Sequence, residues 1–446
     1  MEQLTLEDTV SSQFKTLEEL NKSIVTSFVP SDAKEQKRAF LKGQIVNPDH
    51  DYSKLDNRDY DETAEAIQVA GEVILTNPLL NPKFKTEYEQ FIDRYQKNNR
   101  LMQLAREYNA AFDPIERDEI RREYMRLNIE LFGEPDEGIY RSLLQDKLQA
   151  IAGKELTGRA LELRNELFER VQIDDSVEAI ERFKPSDETV EWMHGVAETM
   201  YSGMLSHVPD GESFTEREVQ EIFEAIIKEE FEESADSWTV TIEPAKSINV
   251  KVDKKRVVIP DDRGNIDRKT VRELIVHELG VHMLRSIIGD ETDLELLKNG
   301  LNGFADAEEG LGKIMEQALN GTFVEAGVGH YITAGLAYHD SKDFREIYEI
   351  NWRLAALEGV NEDGDITSET IEEKQDNAYG ATMRIMRGTD ELPLFKDLSY
   401  YNGSIAMWRF LESIIGDDVK FMFVFMGRGD PSNIKHQRVQ YETATV

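Results

Sequence analysis

The segment His277-Glu278-Leu279-Gly280-Val281-His282 constrains the fold of this chain more than any other, because it places two histidines five residues apart. The surrounding pattern predicts one long helix from about residue 267 to 288, with Gly289 as its C-cap. In a regular helix, residues five apart point about 140° away from each other. If both imidazoles act together, the helix must therefore contain one extra residue as a π-type bulge, and Gly280 is the residue best able to absorb it.

Two imidazoles and one carboxylate are the protein ligands of a zinc site that keeps a fourth position open for water. His277 and His282 are therefore predicted to bind Zn²⁺. Glu278 directly follows the first histidine and is predicted to act as a general base beside that water. The alternative is that the motif is accidental, and that one histidine caps a helix or packs in the core.

Composition limits what else could hold a metal. The chain has no cysteine among its 446 residues, so any metal must be held by histidine and carboxylate.

The charge of the chain limits its partners. Its 88 acidic and 52 basic residues give a net charge of −36 at pH 7, which argues against nucleic acid or anionic membrane as partners. The apolar run 421–426 is too short to span a bilayer, and no signal peptide is visible. We expect a cytoplasmic protein.

The period of the apolar residues divides the chain into a helical part and a short β-rich segment. Apolar residues recur every three or four positions to about residue 235, and then alternate with polar ones in three runs that begin at Trp238, Ile248 and Val257. These runs predict a small antiparallel sheet directly before the long helix. The expected fold class is a predominantly helical α+β protein with a zincin-like core. The expected domains are an N-terminal helical region, 1–180, and a zincin-like catalytic domain, 181–446.

A third ligand is expected on a later helix. The sequence from 306 to 312, Asp-Ala-Glu-Glu-Gly-Leu-Gly, offers two adjacent carboxylates. Glu308 and Glu309 follow His282 by 26 and 27 residues, and the spacing does not choose between them. Paired acids are also common on solvated helix faces, although the glycines after them suggest a close approach to another part of the fold.

HELGVH followed by EEGLG resembles the metallopeptidase-like family known for its QEGLA motif, which includes the microtubule-associated tyrosine carboxypeptidases. Further blocks are similar to that family over about residues 36–430, at 40–52, 128–135, 238–260 and 384–403. The motif spacing is also similar to that of dipeptidyl peptidase III, but the other blocks are not. One departure is Gly312, where the family usually has alanine, and we expect it to affect packing more than chemistry.

The resemblance implies a choice between the two acids. Members written QEGLA have glutamine at the position of Glu308, and an amide is a poor ligand for a hydrolytic zinc. Glu309 is therefore the expected third ligand, and Glu308 is expected to orient a ligand.

The resemblance also implies a substrate site in the C-terminal block. Arg384, Arg387 and Lys396 are expected to bind the C-terminal carboxylate of a peptide, and Tyr400 to supply a phenol for the oxyanion. The alternative is that Arg387 and Lys396 pair with neighbouring acids. Among the other histidines, only His330 and His339 are candidates for the substrate site.

The expected activity is that of a zinc-dependent carboxypeptidase acting on a peptide or protein C-terminus, with an aromatic terminal residue as the weaker expectation. The acidic surface argues against an acidic peptide tail as substrate. One alternative is an aminopeptidase or dipeptidyl-peptidase-like zinc enzyme. The other is a non-catalytic metal-binding regulator, against which the intact Glu278 weighs, since such a protein needs no general base.

Overall fold

The computed structural model describes residues 6–20, 24–78, 80–171, 180–232, 236–245, 247–292, 294–360 and 364–444. These residues are mostly helical with two small sheets, which confirms the predominantly helical α+β class. No helix in these ranges is long and apolar enough to cross a membrane.

Helices fill the first part of the chain, and several begin at a side chain that caps them. Asp113, for example, accepts hydrogen bonds from the backbone N–H groups of Ile115 and Glu116, and Pro114 occupies the first turn. The helices are α1 Leu6–Leu20, α2 Ile24–Ser27, α3 Ala33–Leu41, α4 Ser53–Asp56, α5 Tyr60–Thr76, α6 Lys85–Ala110, α7 Pro114–Phe132, α8 Glu137–Ala152 and α9 Gly158–Arg170, with a 3₁₀ turn at Pro82–Phe84.

Short strands and further helices follow. In chain order they are α10 Asp187–Met200, α11 Ser202–Ser206, β1 Ser213–Phe214, α12 Glu216–Glu230, β2 Thr239–Glu243, β3 Asn249–Lys251, a 3₁₀ turn Val252–Lys254, β4 Arg256–Pro260, β5 Ile266–Asp267, α13 Arg268–Leu274, a π-helical segment Ile275–Met283, α14 Leu284–Asp290, α15 Glu295–Asn299 and α16 Phe304–Leu319. The rest is helical: α17 Val328–Tyr338, α18 Phe344–Glu358, α19 Ser368–Met386, a 3₁₀ turn Phe395–Leu398, α20 Ser399–Ser413, α21 Asp418–Phe423 and α22 Ile434–Ala444.

The chain packs as two compact units. The first unit comprises Met1–Arg182 and Gly327–Leu398, and the second comprises Phe183–Ala326 and Ser399–Val446. Residues 327–398 thus pack with the N-terminal helices, whereas the sequence prediction had placed them in the catalytic domain. The division at 180/181 into a helical region and a catalytic domain stays a prediction.

The core of the first unit lies around α6 and α7. Leu101, Leu104 and Tyr124 are fully buried there, together with Leu394 from the later part of the unit. Asn128 of α7 adds polar contacts with the same later segment, since its side chain donates to the Pro393 carbonyl and accepts from the Phe395 N–H.

The three-stranded sheet of the second unit is mixed, so the prediction of an antiparallel sheet is correct for one strand pair and wrong for the other. β3 and β4 form the predicted antiparallel hairpin, but β2 runs parallel to β4, and β4 lies between the other two. Burial explains why β4 is the central strand. Val257, Val258 and Ile259 of β4 are all fully buried, and a strand that is apolar on both faces is most stable in the centre of a sheet.

One continuous helix follows the sheet, formed by α13, the π-helical segment and α14. Asp267 caps its start by accepting a hydrogen bond from the Thr270 N–H. The predicted π-type bulge is confirmed, and Gly280 lies inside it. The predicted C-cap is wrong, since the helix continues through Gly289 and ends at Asp290. The glycine has another structural role: a Cβ at 289 would come within 2.3 Å of the Leu297 carbonyl oxygen. Gly289 therefore permits a close backbone contact.

α16 and α20 cross in backbone contact at two glycines. A Cβ at Gly310 would lie 2.3 Å from the Gly403 carbonyl carbon, and one at Gly403 would lie 1.8 Å from the Asp306 carbonyl oxygen. No larger residue fits at this crossing. The crossing holds α16 in place against the rest of the second unit.

Candidate metal centre

The π-helical segment places both histidines of HELGVH on one side of the helix. Because π-type bonding joins residues five apart in successive turns, His277 and His282 become neighbours instead of diverging. Their ring centroids lie 4.7 Å apart with an angle of 77° between the ring planes. Both side chains are largely buried, so the segment presents two imidazoles to a protected site.

Glu309 of α16 completes a group of three. One ligand atom from each of His277, His282 and Glu309 lies within 4.8 Å of the others, and His277 Nε2 is 3.9 Å from Glu309 Oε2. Two imidazole nitrogens and one carboxylate oxygen are a donor set that suits zinc and leaves room for a further ligand. The side chain of Glu309 is 30% exposed, so the group is accessible from solvent.

His277 is held through its other ring nitrogen. Its Nδ1 lies 2.6 Å from Glu316 Oε1, and Lys313 Nζ lies 2.9 Å from the same carboxylate. Burial alone would raise the pKa of Glu316, but its hydrogen bond with His277 and the charge of Lys313 outweigh burial and lower that pKa. With Nδ1 directed at a carboxylate, Nε2 is the nitrogen left for a metal.

His282 is held in the same way by Glu308. Its Nδ1 lies 3.0 Å from Glu308 Oε1, while Arg285 donates to Oε2 and Arg428 Nε donates to Oε1 at 3.0 Å. Burial by itself would raise the pKa of Glu308, but the charges of the two arginines hold it well below its usual value. Burial likewise lowers the pKa of His282, but Glu308 outweighs burial and raises that pKa. Glu308 thus contacts a histidine and lies outside the group of three ligand atoms.

Gly312 allows α16 to approach His277. A Cβ added at 312 would lie 2.6 Å from His277 Cε1 and 2.8 Å from each ring nitrogen. Glu309 and Glu316 lie one turn before and one turn after Gly312 on the same face of the helix. The structure shows the packing contact that was expected at this position, and the residue it packs against is a candidate ligand. Whether the position also affects chemistry stays a prediction.

Glu278 is buried in the same segment. Burial raises its pKa, His277 and His282 lower it, and Glu309 and Glu316 raise it further, so that the net shift is upward. Its carboxylate makes no hydrogen bond to another residue in the described part of the chain. A carboxylate in this position can accept a proton from a molecule at the site.

Tyr201 supports the π-helical segment from α10's C-terminal end. Its hydroxyl donates to the Gly280 carbonyl at 3.3 Å, and a Cβ at Gly280 would lie 2.4 Å from Tyr201 Cε1. A side chain at 280 would collide with the Tyr201 ring, so this contact requires glycine.

The predicted carboxylate-binding residues Arg384, Arg387 and Lys396 lie in the first unit. The two arginines share one acid, Asp397. Arg384 Nε and Arg387 Nη2 donate to Asp397 Oδ2 at 2.8 and 2.9 Å. Asp397 is almost fully buried, and its pKa is lowered to about 2, because Arg387 and Arg384 outweigh the effect of burial. Lys396 lies beside Asp397 in the 3₁₀ turn. For Arg387 the structure thus contains the pairing with a neighbouring acid that was the alternative to a substrate role.

The remaining candidates are divided between the two units. Tyr400 belongs to α20 of the second unit and is half-buried. His330, in the first unit, has its pKa lowered to about 4 by burial and then by Arg384. His339 Nε2 lies 2.8 Å from the Pro135 carbonyl oxygen, which is an ordinary structural role. The substrate roles of Arg384, Arg387, Lys396 and Tyr400 stay predictions.

The region of the chain that matches a known family contains every residue described above for the metal centre except Arg428. Residues 193–351 match the microtubule-associated tyrosine carboxypeptidase family. This confirms the resemblance seen in HELGVH and EEGLG, which both lie inside the matched region. The blocks at 40–52, 128–135 and 384–403 lie outside it. No curated protein matches the chain, and no solved structure does either.

Four residues around the centre were not predicted from the sequence. Glu316 and Lys313 carry a weak signal, since Glu316 is seven residues after Glu309 on one face of α16. Arg285, three residues after His282, has a similar signal on its own helix. Arg428 has none, because it lies 120 residues after the Glu308 that it contacts and beyond the region that matches the carboxypeptidase family.

Proposed function

We propose that this protein is a zinc-dependent metallopeptidase with a zincin-like core, and that it acts as a carboxypeptidase. The observation that carries the proposal is the convergence of one ligand atom each from His277, His282 and Glu309 within 4.8 Å. The family match adds support for a carboxypeptidase, since the description of that family names this activity. A cytoplasmic location and the absence of nucleic-acid and membrane partners stay predictions.

The chain's own residues would divide the work as follows. His277 and His282 would bind zinc through Nε2 and Glu309 through a carboxylate oxygen. When bound, zinc polarises the scissile carbonyl and makes a water molecule more acidic. Glu278 would accept the proton of the attacking water and deliver it to the leaving amine as the C–N bond breaks. Glu278 directly follows the first ligand, and its carboxylate makes no hydrogen bond to another described residue, which supports this role.

The substrate side of the proposal rests on the family resemblance. Arg384, Arg387 and Lys396 would bind the terminal carboxylate, and Tyr400 would stabilise the oxyanion. The nature of the residue removed, with tyrosine or another aromatic as the expectation, also rests on it.

Metal analysis combined with a cleavage assay tests the proposal. The purified protein should contain one zinc per chain, His277→Ala and His282→Ala should lose it, and Glu278→Gln should keep it while turnover falls by about 10²- to 10⁴-fold. His194→Ala is a matched control, because His194 contacts the Ala318 carbonyl and Glu198 outside the group of three. If Glu278→Gln releases the metal, Glu278 is a ligand and the assignment is wrong. A peptide library read by mass spectrometry identifies the end from which residues are removed.

A further inference from the structure

Arg428 lies on the turn between α21 and α22, and this turn is fixed against α15, against Leu301 and against Arg285 of α14. The Arg428 N–H donates to the Leu297 carbonyl at 2.6 Å, and the Leu301 N–H donates to the Arg428 carbonyl at 2.9 Å. Arg285 also donates to the Gly429 carbonyl. At Gly427 the backbone has φ +77°, and a Cβ there would lie 2.8 Å from the Leu297 side chain, so the close approach requires glycine. These hydrogen bonds and the close contact at Gly427 fix the position of the backbone at residue 428.

From this position the guanidinium reaches Glu308. Arg428 Nε donates to Glu308 Oε1 at 3.0 Å, and the same oxygen is the one that lies 3.0 Å from His282 Nδ1. Arg285 occupies the other oxygen, Oε2. Glu308 is only 2% exposed, so no water replaces either arginine at low cost. The two arginines together fix the plane of the carboxylate.

We infer that Arg428 is a positioning residue of the metal centre, which acts through Glu308 on the orientation of His282. Oε1 stays in line with Nδ1 only while Arg428 holds it, and a hydrogen bond at Nδ1 determines which way Nε2 points. Arg428 touches none of the three ligand atoms, so its effect on a metal must pass through Glu308. The inference rests on the proposed function, since it assigns a residue to the same zinc site.

The two imidazoles differ in what holds them. The partner of His277, Glu316, is paired with Lys313 three residues earlier on the same helix. The partner of His282, Glu308, is paired with Arg428, which lies 120 residues later in the chain. Residues 427–430 are therefore part of the metal centre although they lie outside the family match at 193–351.

Zinc affinity of the full-length protein, measured by competition with a chromogenic chelator, tests the inference. Arg428→Gln should weaken zinc binding by about 10- to 100-fold, and Arg428→Lys should restore part of the loss. Arg438→Gln is the matched control, because Arg438 is exposed on α22 and pairs with Glu442, away from Glu308 and His282. Circular dichroism of the zinc-free variants establishes that they are folded. Equal or tighter zinc binding by Arg428→Gln would overturn the inference, since removal of a distant cation alone strengthens the binding of a cation.

A second measurement separates this inference from the proposed function. If the wild-type protein binds no zinc, the proposed function fails, and NMR of the imidazole nitrogens in the metal-free protein still tests Arg428. At a pH high enough to keep the ring neutral, His282 should have its proton mainly on Nδ1 in the wild type and in Arg438→Gln, and should show a mixture of the two neutral tautomers in Arg428→Gln. An unchanged His282 spectrum in Arg428→Gln would overturn the positioning role.

Discussion

The imidazole of His277 lies against the backbone of α16 at Gly312, where an added Cβ would come within 2.6 Å of the ring. This contact lets the ring reach two carboxylates of one helix, with Nε2 directed to Glu309 at 3.9 Å and Nδ1 to Glu316 at 2.6 Å. The absence of a side chain at one position thus determines the geometry of a candidate ligand.

Gly312→Ala should weaken zinc binding by about tenfold or more, because the added methyl group displaces the His277 ring from Glu309 and Glu316. The measurement is the zinc dissociation constant from chelator competition. Gly195→Ala on α10 is the control: nothing lies within 4 Å of its added Cβ, so it should leave zinc binding unchanged and stabilise the fold by about 0.5–1 kcal/mol. Normal zinc affinity in Gly312→Ala would mean that α16 can move away from His277 without effect.

The two adjacent acids of α16 should respond differently to substitution. Glu309→Ala should abolish the zinc that co-purifies with the chain, because it removes a ligand. Glu308→Gln should retain one zinc per chain but bind it more weakly, since an amide oxygen can still accept a hydrogen bond from His282 Nδ1 but pairs less strongly with Arg285 and Arg428. Elemental analysis of both variants checks this. The reverse pattern of zinc contents would exchange the two assignments.

Asp397→Asn should destabilise the protein by about 1–3 kcal/mol in urea denaturation at neutral pH, since it removes the buried negative charge that Arg384 and Arg387 share, and solvent partly screens the more exposed Arg384. The control is Asp118→Asn, whose exposed pair with Arg122 should contribute less than about 1 kcal/mol. An Asp397→Asn variant as stable as the wild type would show that the pair adds nothing to folding.

The same variant should have a characteristic pH dependence. The pKa of Asp397 is lowered from 3.8 to about 2 in the folded protein, so its charge stabilises the fold fully above the unfolded pKa and loses that effect as the pH falls through the folded one. The stability difference between wild type and Asp397→Asn should be constant down to about pH 4 and decrease toward pH 2. A difference that grows as the pH falls would contradict this sign.

The polarity of cleavage separates the two enzyme hypotheses. If cationic groups bind a terminal carboxylate, peptides amidated at the C-terminus should be cleaved at least about tenfold more slowly than free acids, because a charge-assisted pair is lost. N-acetylation should have little effect. Initial rates on matched peptides, read by mass spectrometry, measure both. Loss of cleavage on acetylation without loss on amidation would favour an aminopeptidase instead.

Local pattern predicted the parts of the site that lie within one helix or one motif. The spacing of His277 and His282 predicted the π-type bulge at Gly280, because helix geometry leaves no other way for both rings to face one point. Alternation predicted strands at the right places in the chain. The class of the fold followed from the same periodicities.

The parts that depend on distant contacts could not be predicted. The parallel pairing of β2 with β4 depends on how the strands assemble in three dimensions, and no local signal in the sequence indicates the direction of that pairing. The packing of residues 327–398 with the first unit, and the contact of Arg428 with Glu308, join segments far apart in the chain. The sequence identifies Gly312 as a departure from the family pattern, but it does not show that Gly312 contacts His277. That contact exists only after two helices have packed.

The π-helical segment also restricts how this chain can change by insertion or deletion. Loss of one residue between His277 and His282 would restore the four-residue spacing that suits a regular helix. It would also rotate every later residue of that helix by about 100°, and so turn Arg285 away from Glu308. The five-residue spacing and the Arg285–Glu308 pair therefore depend on each other, and a chain with the shorter motif would need a different arrangement of the buried charges behind it.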